Sequence, residues 1–335
     1  MNASDALIKT LVSNGLEVIF ANPGTSEMHL VASIDNNPEI RPVLGLFEGV
    51  VTGAADGYAR MAEKSAANLL HLGPGLGNGF ANIHNAKKAR SPLLNIVGDH
   101  ATYHLKHNAP LTSDLDNLAK SSSDWVGRSK SSEDICDLAN IAWQQANSLP
   151  GQISTLIVPA DSAWGEFKGN IPKPLKKEEF ASIDEQLIPN SAEVLKVDNS
   201  ILYLGGKFLN EECVNLAAKI ASKTGCRLVT DTFISRIRRG EGLPVLEQIP
   251  YFAESAADFL KDSSGIVFIG SRPPVSFFAY PDKKSYLTPP ETNIVNLCSA
   301  EQDGLYALNS LVDEIGANKI NKNLLQTSVS DVPKS

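Results

Sequence analysis

Three stretches of this chain carry residues whose type and spacing suit chemistry. Glu48 is a single acid at the end of the apolar run Val43 to Phe47, and Gly49, Gly53 and Gly57 follow at once. The run reads as a buried strand, and glycines four apart stack on one face of the helix that begins at Glu48. A glycine inside a helix costs about 1 kcal/mol relative to alanine. A stripe of them therefore calls for the close approach of another helix. A membrane contact would use the same stripe, but Asp56, Arg60, Glu63 and Lys64 exclude a lipid-spanning segment. The second stretch is the turn Asn22-Pro23-Gly24-Thr25-Ser26-Glu27. The third is His71 with the glycine loop Gly73-Pro74-Gly75-Leu76-Gly77-Asn78-Gly79. Taken singly, Glu48 is an acid at a helix start, favoured by the dipole, and His71 a satisfied core histidine. All three lie beyond the carboxyl ends of expected parallel strands, where ligands bind in doubly wound folds. That convergence favours a site.

Other patterns carry less. The glycine loop contains neither GxGxxG nor GxxxxGK[ST], so it is no dinucleotide or P-loop fingerprint. His100, His104 and His107 have a spacing that permits a metal, but they fall in a loop, and a cleft-lining or solvent-facing role is expected instead. No metal ligand is assigned in this chain. Arg236, Arg238 and Arg239 could clamp an anion, although a solvated charged turn fits them better. Ser271-Arg272-Pro273-Pro274 follows a strand, but its prolines remove amide donors.

The elements that must position these residues alternate. Strands are expected at Glu17 to Phe20, Arg41 to Phe47, Ala66 to Leu72, Leu93 to Val97 and Ile153 to Val158, with helices between them and a long polar loop after the fourth. Unbroken apolar strands separated by helices predict an α/β fold with a parallel sheet covered on both faces. A first helix is expected to be capped by Ser4 and Asp5. Residues 166–189, with Lys173-Pro174-Leu175-Lys176-Lys177-Glu178-Glu179, read as a linker. A second, smaller doubly wound domain follows over 190–318, and a polar, mobile tail over 319–335. The 335 residues, 42% hydrophobic and 20% charged, are ample for two such cores. A net charge of −8 argues against a nucleic-acid surface. No stretch approaches the ~20 apolar residues of a membrane span. No secretory leader is expected at Met1 to Asp5. Scattered Cys136, Cys213, Cys226 and Cys298 suggest reduced core thiols in a cytoplasmic protein.

In combination, Asn22 to Glu27, Phe47-Glu48-Gly49 with Ala55-Asp56-Gly57-Tyr58-Ala59-Arg60, and Gly73 to Asn78 resemble thiamine-diphosphate-dependent enzymes of the acetolactate synthase large subunit and benzoylformate decarboxylase group. Gly98-Asp99-His100-Ala101-Thr102-Tyr103-His104 and Thr230-Asp231-Thr232-Phe233 resemble the acetolactate-synthase-like branch, and the likeness runs over residues 1–318. It implies a pyrimidine-binding domain over 1–165 and the family's central αβ domain over 190–318. It implies that Glu48 hydrogen-bonds N1′ of the cofactor's aminopyrimidine and activates it, with Pro23, Gly24, Gly75 and Asn78 beside the cofactor. His71 is implied in proton transfer or substrate orientation, and Thr25 and His100 in the substrate's surroundings. The implied activity is decarboxylation or carboligation of pyruvate or another 2-keto acid. Phe47 departs from the histidine usual in acetolactate synthases. No Gly-Asp-Gly start with a later Asn fits the family's diphosphate-binding domain, so the ligands of Mg2+ are expected outside this chain. A truncated product, a split enzyme whose partner chain carries that domain, and a non-catalytic or regulatory relative all stay open, as does FAD. The family habit implies a homodimer or tetramer.

Overall fold

The computed structural model describes residues 1–327, so residues 328–335 of the expected tail lie outside the described residues. The chain divides into two compact units, Met1–Glu179 and the residues from Phe180 onward.

In the first unit α1 (Ala3–Ser13), β1 (Val18–Asn22), α2 (Met28–Asp35), β2 (Arg41–Leu44), α3 (Glu48–Ala62), β3 (Ala66–Leu70) and α4 (Leu72–Lys88) follow in order. Then come β4 (Leu93–Asp99), α5 (Leu115–Ser122), β5 (Trp125–Arg128), α6 (Ile135–Asn147), β6 (Ile153–Pro159) and α7 (Ala160–Trp164). The six strands form one sheet in the order β2-β1-β3-β4-β6-β5, and every pairing is parallel. β3, β4 and β6 are buried along their whole length, as strands covered on both faces must be. One face packs against α1, α2 and α6; the other packs against α3, α4 and α5.

Four expectations are corrected here. β2 ends at Leu44, and the rest of its apolar run is not buried: Leu46 is 92% and Phe47 51% exposed. β2 is an edge strand, so the apolar residues beyond it find no cover in this unit. α1 is capped by Asn2, whose side chain accepts from the Ser4 amide at 2.9 Å, rather than by Ser4 or Asp5. The expected polar loop holds α5 and the edge strand β5, elements too short to show a clear period. The lysine-rich part of the expected linker lies along α6, where Asn140 and Gln144 donate to the carbonyls of Lys173 (2.8 Å) and Lys176 (3.3 Å).

The second unit contains α8 (Leu187–Leu195), β7 (Ile201–Leu204), α9 (Glu211–Thr224), β8 (Arg227–Thr230), β9 (Glu247–Gln248), α10 (Ala253–Leu260), β10 (Gly265–Ile269), β11 (Asn293–Cys298) and α11 (Gly304–Ile315). Its parallel sheet runs β11-β10-β7-β8-β9. α8, α9 and α11 cover one face and α10 the other. The described part of the tail is ordered against this unit. Val245 donates to the Leu324 carbonyl at 3.0 Å and Gln326 to that of Leu243 at 2.9 Å. Ile320 and Leu324 supply the apolar contacts that hold it.

Candidate active site

The carboxyl ends of β1, β2 and β3 lie side by side. Asn22 is in register with Leu70 and Ala21 with Leu44. The Asn22 side chain then ties the next segment down by donating to the Gly45 carbonyl at 2.9 Å. The chain turns through an extended Phe47 (φ −155°) straight into α3, so Glu48 stands on the first residue of the helix. Its side chain is turned inward and the residue is only 9% exposed. Oε2 accepts from Asn78 Nδ2 at 3.0 Å. Oε1 has no hydrogen-bond partner among the described residues and faces Gly75, where a Cβ would stand 3.4 Å away.

α3 and α4 hold this geometry. Thr52 Oγ1 donates to the Glu48 carbonyl at 2.9 Å and lies 3.1 Å from the Gly79 carbonyl. Asn82 Nδ2 donates to the Gly49 carbonyl at 2.6 Å. The close approach falls only partly on the expected glycine stripe. Gly53 meets Asn82, whereas Gly57 faces open space, and the tightest contact is Gly79 of α4 against Thr52. Thr52 and Asn82 were absent from the sequence reading, because a hydroxyl and an amide inside helices look like ordinary surface residues there.

His71 caps α4 and is followed by Leu72 at φ +49°, a left-handed conformation uncommon for a branched side chain. The ring lies against Gly24, where a Cβ would stand 2.3 Å from Nδ1. Nδ1 is 2.7 Å from Oε2 of Glu27, which also accepts from the Gly24 amide at 2.7 Å. Glu27 has no exposed surface, and its Oε1 is buried without a partner among the described residues. Burial pushes its carboxyl above the ordinary value, against the opposing pull of the Gly24 amide and His71. The spacing Gly24-x-x-Glu27 has the form of a helix-start capping box, and that bland role hid Glu27 from the sequence reading.

The structure thus gathers Gly24, Glu48, His71, Gly75 and Asn78, with Pro23 half-buried beside them. Thr25 is exposed at the start of a 3-10 turn. His100 follows β4; its described contacts are its own amide on Asp99 Oδ1 (2.8 Å) and its ring against His104, rather than Glu48 or His71. His104 and His107 continue that stack. Among the described residues no three His, Cys, Asp or Glu side chains converge to hold a metal ion. In the second unit Arg238 is paired with Glu211 and Arg239 donates to Gln248, so neither is a free anion clamp.

Residues 1–119 match the family model "Thiamine pyrophosphate enzyme, N-terminal TPP binding domain". Over 321 residues the chain is 44% identical to "Putative acetolactate synthase large subunit IlvX" of Mycobacterium tuberculosis, covering 96% of this chain and 61% of that one. It is 28% identical over 228 residues to benzoylformate decarboxylase of Pseudomonas aeruginosa, covering 65% of this chain and 42% of the relative. The chain therefore spans less than two thirds of the length of these relatives. The solved structure of a thiamine diphosphate-dependent 4-hydroxybenzoylformate decarboxylase from Rhodococcus jostii superposes with a TM-score of 0.81 at 19% identity, over all of this chain and 66% of that one. At that identity the likeness speaks for the fold, two α/β units on parallel sheets. Residues 1–119 of this chain thus resemble the N-terminal TPP binding domain of the thiamine pyrophosphate enzymes.

Proposed function

We propose that this chain supplies the pyrimidine-binding half of an acetolactate-synthase-like, thiamine-diphosphate-dependent enzyme acting on pyruvate or another 2-keto acid. The observation that carries the reading is Glu48: a buried carboxyl at a helix start, fixed through one oxygen by Asn78, with the other oxygen free beside a glycine. An aminopyrimidine ring presents a nitrogen at its edge that such an oxygen can hydrogen-bond, and Gly75 leaves the space for it. These residues fit that half of the cofactor. When bound, thiamine diphosphate supplies the nucleophilic carbon and the electron sink for decarboxylation of a 2-keto acid. Glu48 would hold a proton on the pyrimidine. Asn78 would keep the carboxyl in line, and Pro23 and Gly24 would bound the ring. His71, with Nε2 lacking a partner among the described residues, would exchange a proton with the substrate; Thr25 and His100 would lie on its approach. The diphosphate and Mg2+ are assigned to residues outside this chain, on a partner chain that carries the diphosphate-binding domain. A non-catalytic subunit that needs such a partner is the alternative. The exposed Leu46, Phe47 and Val50 around Glu48 suit either reading, since both need a covering surface.

The test is calorimetric titration of thiamine diphosphate with Mg2+ into the purified chain and into Glu48→Gln. Binding to the wild type, weakened at least tenfold in the variant (about 1.4 kcal/mol), is expected. Equal affinity in the two proteins overturns the assignment of Glu48, whereas no heat with the wild type means that this half of the site holds the cofactor only together with the chain that carries the diphosphate half.

A further inference from the structure

We infer that Glu27 is a positioning residue for His71, holding Nδ1 so that Nε2 is the ring atom presented to the site. The inference rests on the proposal that His71 works in this site. The geometry itself stands on four independent features of the fold. Glu27 Oε2 lies 2.7 Å from His71 Nδ1 and accepts the Gly24 amide at the same distance, so the acid is itself locked. Oε1 is buried without a partner. A carboxyl retained in that state is costly, and the capping contact to Gly24 uses only one of its oxygens. Two glycines make room for the pair. A Cβ on Gly24 would fall 2.3 Å from Nδ1, and one on Gly98 of β4 would fall 1.6 Å from Glu27 Oε1. Finally, the left-handed backbone at Leu72 is a conformation seldom adopted without tertiary support, and it immediately follows His71.

An ionised carboxylate only accepts hydrogen bonds. With Glu27 ionised, Nδ1 must carry the proton and Nε2 keeps its lone pair. A proton that reaches Nε2 is then stabilised by the negative charge behind the ring. Burial favours the neutral carboxyl, and this opposes full separation of charge.

The tautomer is directly readable without cofactor. Long-range 1H–15N correlation of the imidazoles in the full chain resolves six histidines, and His71 is assigned from the spectrum of His71→Gln. In the wild type at neutral pH, His71 is expected with Nδ1 protonated and Nε2 bare. In Glu27→Ala the ring should pass to a mixture containing the Nε2–H form. Glu27→Gln, whose carbonyl still accepts, should retain the wild-type pattern. If Glu27→Ala does not fold, Glu27→Asp, too short by one methylene to reach the ring, should show the same mixture. A wild-type His71 already in the Nε2–H form, or one unchanged in both Glu27→Ala and Glu27→Asp, overturns the inference. Equal binding of thiamine diphosphate by the wild type and Glu48→Gln would overturn the proposed function while leaving this tautomer as found, so the two failures are distinct.

Discussion

Asp231 shows how one buried acid couples this fold to pH. It follows β8, and its Oδ1 accepts from Tyr203 Oη and Ser271 Oγ, both at 2.9 Å. Burial pushes its carboxyl above the ordinary value of 3.8, although the bonds from Tyr203 and Ser271 pull the other way. A folded-state value above the unfolded one means that the neutral form is favoured by folding. The stability this contributes is complete below about pH 3.8 and is lost as pH rises through the folded value. Asp231→Asn, which cannot ionise, should therefore match the wild type in thermal unfolding at pH 3.5 and exceed it at pH 7. A variant that loses stability relative to wild type as pH rises would refute the sign. The cysteines make a simpler case at the same scale. All four are free and buried. Burial pushes Cys213 and Cys226 to about 11 and Cys298 to about 12, and raises Cys136 as well. The thiolate is the reactive form, so a disulfide-exchange reagent at pH 8 should titrate no thiol rapidly in the native protein and all four in denaturant.

The contact between α3 and α4 decides where Glu48 stands. Its tightest point is Gly79, where a Cβ would come within 2.7 Å of Thr52 Cγ2. Thr52 is fully buried and cannot swing away without losing its bond to the Glu48 carbonyl. Gly79→Ala should therefore destabilise the first unit by roughly 1–3 kcal/mol, the usual range for overpacking, as read by urea unfolding. The alanine's helix propensity, worth about 1 kcal/mol in the opposite direction, would win only if the helices could part freely. Much of this arrangement was legible in the sequence. The apolar runs announced β3, β4 and β6, and Glu48, His71 and the glycine loop met at one end of the sheet as their positions suggested. Glu27 was not legible, because its partner His71 lies 44 residues away and nothing local marks the pairing. The run Val43 to Phe47 misled for a different reason. Apolarity records that a residue is covered by something, and here the cover is not within the unit that contains it.

At the scale of the whole molecule, that uncovered run extends along α3. Leu44, Leu46, Val50 and Met61 are 71%, 92%, 61% and 68% exposed, and Phe47 stands among them. Val50, Gly53, Gly57 and Met61 follow one another at intervals of three or four residues, so they share one helix face. On that face Gly57 has nothing within contact distance of a Cβ. A contiguous apolar stripe rimmed by polar residues marks an association surface, and glycines within it let a second helix approach closely. A second copy of this chain, presenting the same stripe, fits the self-complementarity that a two-fold interface requires. Light scattering after size exclusion should therefore find a dimer at micromolar concentration, and Val50→Lys combined with Met61→Lys should yield a folded monomer. Both side chains are exposed within the chain, so the intrachain core should be undisturbed and the circular dichroism unchanged. A monomeric wild type would exclude the second copy and turn attention to a different partner chain. The same double variant also separates folding from function. Because the stripe begins beside Glu48, the monomer should bind thiamine diphosphate with Mg2+ at least tenfold more weakly than the dimer. Undiminished binding by the monomer would show that the second copy contributes nothing to the cofactor site.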